Sequence, residues 1–334
     1  MRSSMDGKTP TSTRRDLQLS VVIGLIAGGS DVMTACLRAL LRGAEGVIAE
    51  IIVPYDNRLD HVDDLMREFP TVTFIDARAS VNRAHLGAYS REHHDILRAI
   101  GLASARGPIV AMLEDHGIPC PDWCHKVLTA HESPAAAIGG AVENGIDRLL
   151  NRAVFYCDFG RYQNPVPSGP AEFLSDSNVA YKREALSSVR HLWNQAFHET
   201  AVNWELRRRG EDLLLDPTMV VFQNRTRLRF LPALRERFVW GRSFAGTRAQ
   251  ELPTLRRLLL AGLAWMLPLV LTWRIANNGV SKRRCLGSLV STLPLIFLLQ
   301  TIWAFGEFVG YVTGTTGGRS NFDGGVRPCA ASPS

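Results

Sequence analysis

The chain has 334 residues, 46% of them hydrophobic and 21% charged, with 17 prolines scattered along it. These values exclude a disordered chain, a collagen-like repeat and a coiled coil, and the length exceeds one typical domain. The net charge of +6 does not point to nucleic acid. The basic residues concentrate between Arg225 and Arg257, immediately before a long apolar stretch, where they suit an anionic membrane surface. No nucleic-acid partner is expected. The six cysteines show no paired framework, and a chain of this length folds without disulfides, so the catalytic side reads as reducing and cytosolic.

Residues 1–19 read as a loose polar tail rather than a signal peptide. The run "LSVVIGLIAGG" (Leu19 to Gly29) is β-branched and ends in a glycine turn, and Met33, Leu37, Leu40 and Leu41 then recur at helical spacing. "AEIIVPYDN" repeats the strand signal and "HVDDLMREF" the helix. "TVTFIDA" is a third strand, "REHHDILRAIGLASA" another helix, and "PIVAML" (Pro108 to Leu113) a fourth strand. Strands alternating with helices predict a Rossmann-like α/β domain, its mostly parallel sheet covered on both faces. Ligands of such sheets bind beyond the carboxyl ends of the strands, so the turns after Ile26, Val53 and Leu113 should carry the chemistry.

Regularity falters from Asn151 to Ser188, where Pro165, Pro167 and Pro170 mark a loop. A helix, "ETAVNWELRRRG", and a strand, "TMVVFQN", follow, and the catalytic domain is expected to span 20–228. Residues 229–256, including "LRERFVWGRSFAGTR", read as a basic interfacial helix. Leu258 to Trp273 is uncharged for 16 residues, about 24 Å of helix, and Cys285 to Gly306 for 22, about 33 Å, against a hydrocarbon core of roughly 30 Å. The expectation is a two-helix membrane hairpin over 257–312, the first helix either spanning or re-entrant, followed by a loose tail over 313–334. A buried helical core is the competing reading. The positive loop from Arg274 to Arg284 sits awkwardly with a cytosolic catalytic flank, because both would be drawn to the same side.

After the fourth strand the chain reads "MLEDHGIPCPDW", which puts Glu114, Asp115 and His116 at a strand's carboxyl end. Two hard carboxylates and an imidazole can share a divalent cation with a diphosphate. The bland alternative is a turn capped by acids. A zinc cluster of His116, Cys120, Cys124 and His125 is disfavoured, because Pro119 and Pro121 break any helix that would align them and no paired CxxC is present. His93 and His94 are adjacent, fall on different helix faces and are expected at the surface.

From about Ser20 to Arg242 the sequence resembles the family 2 glycosyltransferases of GT-A fold. The resemblance implies a donor-binding loop at Ile26, Ala27 and Gly28, a base-reading aspartate at Asp56 in "VPYDN", and an arginine, Arg98, in "LRAIGLASARGPIVAML" beside Gly101 and Gly107. It places the family's acidic metal-binding triplet on Glu114, Asp115 and His116, with Mg2+ or Mn2+ as the ion and Glu114 and Asp115 also facing the donor. It assigns Asn178 in "DSNVAYKRE" to the acceptor or diphosphate, although Asp176 stands where glycine is usual. It makes Glu199, eleven residues before Gly210, the catalytic base in preference to Glu205. Gln223 occupies the place of a late histidine and is implied as an acceptor or diphosphate contact, since it can still hydrogen-bond a phosphate. "RFVWGRSFA" resembles the interfacial arginine-tryptophan element of membrane-bound members, with Arg237, Trp240 and Arg242 as diphosphate or acceptor contacts, or equally as lipid anchors.

The resemblance therefore implies an inverting transferase on the inner membrane, with its catalytic domain in the cytoplasm. It would take a nucleotide-sugar donor and a lipid-linked or glycan acceptor, and act beside membrane lipids and other polysaccharide assembly proteins. The alternatives are a metal-dependent nucleotidyltransferase, which the absence of Lys or Arg from "IAGGSD" disfavours, and a catalytically degenerate scaffold, motivated by the altered triplet.

Overall fold

The computed structural model describes residues 16–83, 92–250 and 252–315; the expected tails fall largely outside these residues. In chain order the N-terminal half comprises β1 (Leu19–Gly24), α1 (Ser30–Gly43), β2 (Ala49–Tyr55), α2 (Val62–Glu68), β3 (Val72–Asp76), α3 (Arg78–Arg83), α4 (Glu92–Ser104) and β4 (Ile109–Glu114). These elements follow the expected alternation. Strands β3, β2, β1 and β4 lie side by side and parallel. β1 and β4 are buried at every position, as strands covered on both faces must be. Because β2 and β3 lie on one side of β1 and β4 on the other, the strand order reverses between β1 and β4, and a crevice opens beyond their carboxyl ends.

The second half departs from simple alternation. β5 (Gly117–Pro119), α5 (Trp123–Ala130), β6 (Ala137–Asn144), α6 (Leu149–Asp158), β7 (Gly169–Pro170), β8 (Asn178–Lys182), α7 (Arg183–Ser188), α8 (Glu199–Arg208) and β9 (Leu213–Gln223) follow. They extend the sheet in the order β4-β8-β6-β9-β5, with β7 also on β9. β8 is antiparallel to β4 and β6, whereas β6 and β9 are parallel. β9 begins at Leu213, upstream of the expected "TMVVFQN", and tolerates Pro217 because the β6–β9 register shifts between Gly140 and Ala141.

α9 (Phe230–Ala249), α10 (Thr254–Leu263), α11 (Leu267–Ser281) and α12 (Leu286–Thr313) complete the chain. Two helical stretches of 28 residues, Thr254–Ser281 and Leu286–Thr313, are long and apolar enough to cross a membrane. The first is not a buried core helix, since Leu255 is 82% exposed, Trp273 67% and Leu269 66%, whereas the second is partly buried through Leu289, Ile296 and Leu299.

Candidate active site

The loop after β1 is built from below. Asp115 follows β4 directly and is fully buried. Its carboxylate accepts hydrogen bonds from the backbone N–H groups of Ala27 (3.0 Å) and Gly28 (2.7 Å), and lies 2.9 Å from His116 Nδ1. Burial opposes its ionisation, but the His116 contact and the two backbone donors outweigh it and hold the carboxyl below its usual range. Gly28 has φ +68°, and a Cβ there would lie 2.8 Å from the Arg58 carbonyl, so only glycine fits the turn. Arg227, from beyond β9, covers Gly29 and pairs with Asp31 at 2.5 Å.

Beside this loop, Asp56 sits 4% exposed just past β2. It accepts from the Arg58 backbone N–H (3.0 Å) and from Arg58 Nε (2.9 Å), and His93 Nδ1 lies 3.5 Å away. Burial would raise its pKa, yet the bonds from His93 and Arg58 and the Arg58 charge hold it well below the carboxylate range. His94 Nδ1 lies 2.8 Å from the Leu25 carbonyl and 3.1 Å from Arg58 Nη1. Burial, assisted by Arg58 and Arg98, pushes this imidazole down to about 4. The expectation of two surface histidines is thus corrected: His93 is half-buried and His94 buried, because α4 lays both against the Asp56 corner. A polar cleft of about 510 Å³ opens here, lined by Tyr55, Asp56, Asn57, His61 and Arg78 among others.

At the end of β4, Glu114 faces Arg98 Nη2 (3.3 Å), His116 Nε2 (3.3 Å) and Gln223 Nε2 (3.1 Å). Arg98 also pairs with Asp176 (2.7 Å) and approaches Asp95 (3.6 Å). Four carboxylates, Asp95, Glu114, Asp115 and Asp176, thus gather around Arg98 and His116. Burial pushes the Glu114 carboxyl up and Asp176 adds to this, against the opposing His116, Arg98 and Gln223. Gln223 Oε1 is buried without a hydrogen-bond partner.

Glu199 opens α8 and is half-buried. A carboxylate in the first turn is favoured by the helix dipole. The start of α8 hangs on α4, because the Phe197 N–H donates to the Asp95 carbonyl (2.9 Å) and His198 Nδ1 lies 3.4 Å from Asp95. Burial pushes the Tyr162 phenol up to about 12 and Tyr181 well above its usual value, and the charges of Glu199 and Asp176 act on both rings. Glu199 therefore shares its neighbourhood with the Arg98 network. Glu205 instead accepts from Arg208 and Arg209 at 2.7 and 2.8 Å, as a solvated helix face does.

Other expected contacts lie elsewhere. Asn178 is fully buried on β8, donates to the Ala141 and Met219 carbonyls (2.8 Å each) and accepts from Trp123 Nε1 (3.0 Å). It locks the antiparallel seam, and with these bonds made it is not turned to a substrate. Arg237 is buried in an ion pair with Asp158 (2.6 Å) and lies 5.9 Å from the ring of half-buried Trp240. Arg242 donates to Thr315 Oγ1 (3.1 Å). These side chains tie α9 to α6 and to the residues that follow α12. Sequence reasoning missed Asp95, Asp176 as a partner of Arg98, and Arg227. Asp95 at i−3 from Arg98 was the available signal.

Among the described residues, no group of three or more His, Cys, Asp and Glu side chains is arranged to hold a metal ion. Of the expected triplet, Asp115 is engaged by the Ala27 and Gly28 N–H groups and by His116 Nδ1, which leaves Glu114 and His116 Nε2 facing each other. His125 Nε2 lies 2.9 Å from the Glu45 carbonyl, in keeping with the disfavoured zinc reading.

No protein-family model and no curated protein matches the chain. Among solved structures it is similar to the mannosyltransferase PcManGT from Pyrobaculum calidifontis in complex with GDP-Man and Mn2+, at 12% identity over 89% of this chain and 86% of that one, with a TM-score of 0.48. It is also similar to S. aureus TarS 1–349, at 12% identity over 90% of this chain and 92% of that one, with a TM-score of 0.43.

Proposed function

We propose that the protein is a membrane-associated, inverting glycosyltransferase of GT-A type that uses a nucleotide-sugar donor. One observation carries this reading. The donor side and the base side of the crevice converge on a single turn of α4, where Arg98 holds Glu114 and Asp95 holds the start of the Glu199 helix. The nucleoside lies in the cleft beside Asp56, and the diphosphate lies over the loop formed by Ile26, Ala27 and Gly28.

Glu114 and His116 would hold a Mg2+ or Mn2+ ion, a carboxylate and an imidazole being donors that suit such ions. Among the described residues, Asp95, Glu114 and Asp176 gather on one guanidinium, which suits an added positive charge. When bound, the ion supplies charge stabilisation of the departing diphosphate. Asp115 fixes the loop rather than the ion. Glu199 accepts the proton of the acceptor hydroxyl as its oxygen attacks the anomeric carbon. The bond from that carbon to the diphosphate oxygen breaks on the opposite face, so one displacement inverts the centre.

Arg98 and Gln223 orient Glu114. The acceptor is a lipid-linked or growing glycan, delivered from the membrane that the C-terminal helices engage. The proposal includes localisation at the inner membrane, with the catalytic domain on the cytoplasmic side that the free cysteines among the described residues suit.

A panel of UDP-, GDP- and dTDP-linked hexoses with Mn2+ tests the reading through release of the nucleoside diphosphate. Glu199→Gln should lower turnover about a hundredfold or more, while calorimetry shows donor binding retained. Near-normal turnover in this variant removes Glu199 as the base.

A further inference from the structure

From the way α12 is seated, we infer that the C-terminal hairpin is monotopic: α10, α11 and α12 lie along one leaflet, with both ends of the hairpin on the face that carries the catalytic domain. This rests on the membrane association proposed above and is independent of the reaction.

The length that projects past the catalytic domain decides against a crossing. Leu289, Leu293, Ile296 and Leu299 of α12 pack into one apolar cluster with Val154 and Phe155 of α6. Cys157 of α6 packs against the same cluster. Only Thr301–Thr313 extends further, 13 residues or about 20 Å of helix, against a hydrocarbon core of about 30 Å. That remainder is not sheathed by lipid either. Gly241 sits against the Trp303 carbonyl, and Gly306 and Gly310 sit against backbone of α9, so α9 accompanies α12 to its end. α9 carries Arg242 and the exposed Arg248, and each arginine at bilayer depth costs about 2.5–3.5 kcal/mol on insertion scales.

The other end of the hairpin is equally fixed. Asn278 Nδ2 donates to the Gly160 carbonyl (3.0 Å), Lys282 Nζ to the Arg161 carbonyl (3.0 Å), and Arg284 pairs with Glu143 (2.7 Å). The loop between α11 and α12 therefore touches the catalytic domain. At the far end Arg257 Nη2 approaches the Val312 carbonyl at 3.4 Å. A perpendicular hairpin must put one of these two ends across the bilayer, and the catalytic domain and α9 hold both.

Exposure gives the same direction. Apolar side chains stay exposed along the full hairpin: Leu259 (61%), Trp265 (64%) and Leu269 (66%) on the projecting part, and Val280 (55%) and Val290 (62%) level with the catalytic domain. A crossing that began beyond α6 would leave the second group in water. An in-plane hairpin sinks both into the acyl boundary, with the exposed Arg256, Arg274 and Arg283 reaching anionic headgroups. The same contacts pin the 160–164 loop, whose Tyr162 lies in the field of Glu199. Lipid surface and base are thereby joined by one packed unit.

The test uses the full chain bound to vesicles of phosphatidylcholine and phosphatidylglycerol and a bulky, membrane-impermeant maleimide, read by peptide mass spectrometry. Three thiols are compared: native Cys285, which is exposed between α11 and α12, and the single variants Thr313→Cys and Glu45→Cys, the last marking the catalytic face. All three should reach full labelling in intact vesicles without detergent, Cys285 and Thr313→Cys more slowly than Glu45→Cys. A Cys285 or Thr313→Cys thiol that stays unlabelled until detergent is added, while Glu45→Cys is complete, means that the hairpin crosses and overturns the inference. Flotation of the same vesicles separates this from failure of the membrane reading itself, because a protein that does not float removes both. Leu259→Glu with Leu269→Glu alters only exposed positions and should lower vesicle partitioning at least about tenfold, a change of about 1.4 kcal/mol. Unchanged partitioning overturns the leaflet-facing assignment of α10 and α11.

Discussion

Asp56 and Glu114 stand at the ends of the two strands that flank β1, are both nearly buried and are both carboxylates, yet their surroundings drive them in opposite directions. Asp56 has a dedicated guanidinium from Arg58 two residues away, with His93 alongside, and is held ionised far below the usual range. Glu114 shares Arg98 with Asp95 and Asp176, and burial pushes it up. Desolvation opposes both charges and weighs more on the more deeply enclosed Glu114, while Asp56 has the Arg58 guanidinium and backbone N–H beside it. The Asp56 corner is complete by itself, as suits a rigid recognition element. In the ring around Glu114, among the described residues, Glu114, Asp95 and Asp176 share the Arg98 guanidinium, as suits a place where a further cation arrives.

The comparison breaks most severely at Arg98. Arg98→Met strands three acids in a buried cluster, and loss of one partner from a buried pair costs about 3–5 kcal/mol; chemical denaturation should show a drop of that size. A loss under about 1 kcal/mol would mean that water already neutralises the ring, since exposed pairs contribute no more than that.

A smaller effect is expected at the other corner. Asp56→Asn leaves the part-buried Arg58 without its counter-charge and should cost about 1–3 kcal/mol, while weakening nucleotide binding measured by calorimetry. Undiminished nucleotide affinity would take Asp56 out of the base pocket.

The smallest and most discriminating change is Glu114→Gln, which mimics the protonated acid. A carboxyl whose folded pKa lies above its unfolded value binds more protons when folded. Its contribution to stability is present below the unfolded value and lost as pH rises through the folded one. The cation-free protein should therefore be destabilised by Glu114 at neutral pH, and Glu114→Gln should raise its melting temperature there, with no gain at pH 4. Mn2+ should stabilise the parent chain and leave the variant unmoved. Asp56 has the opposite sign: its stabilisation is present above its unfolded value and fades only as pH falls through its lowered folded value. A melting temperature that Glu114→Gln lowers at pH 7 would erase the contrast between the two corners.

Much of this was legible locally. The alternation from Leu19 to Leu113, the turn at Gly28 and the acids after β4 follow from residue periodicity, from the backbone freedom of glycine and from the placement of polar side chains at strand ends. Each is a property of a few consecutive residues. Glu199 at a helix start is of the same kind, because a carboxylate in a first turn is favoured wherever the helix lies.

What the tertiary structure decided are the pairings between distant residues. Asn178 reads as a substrate contact until β6, β8 and β9 surround it, and Arg237 reads as a diphosphate ligand until α6 brings Asp158 to it. His93 and His94 read as surface groups until α4 lays them on the Asp56 corner. The hairpin shows the division most clearly. Its composition fixed that it is apolar and long, because hydropathy sums over neighbours in sequence. Whether that length projects into a bilayer or lies beside the catalytic domain depends on the packing of Leu289 through Leu299 against α6 and on the Arg284–Glu143 pair, contacts across more than a hundred residues that no local pattern encodes.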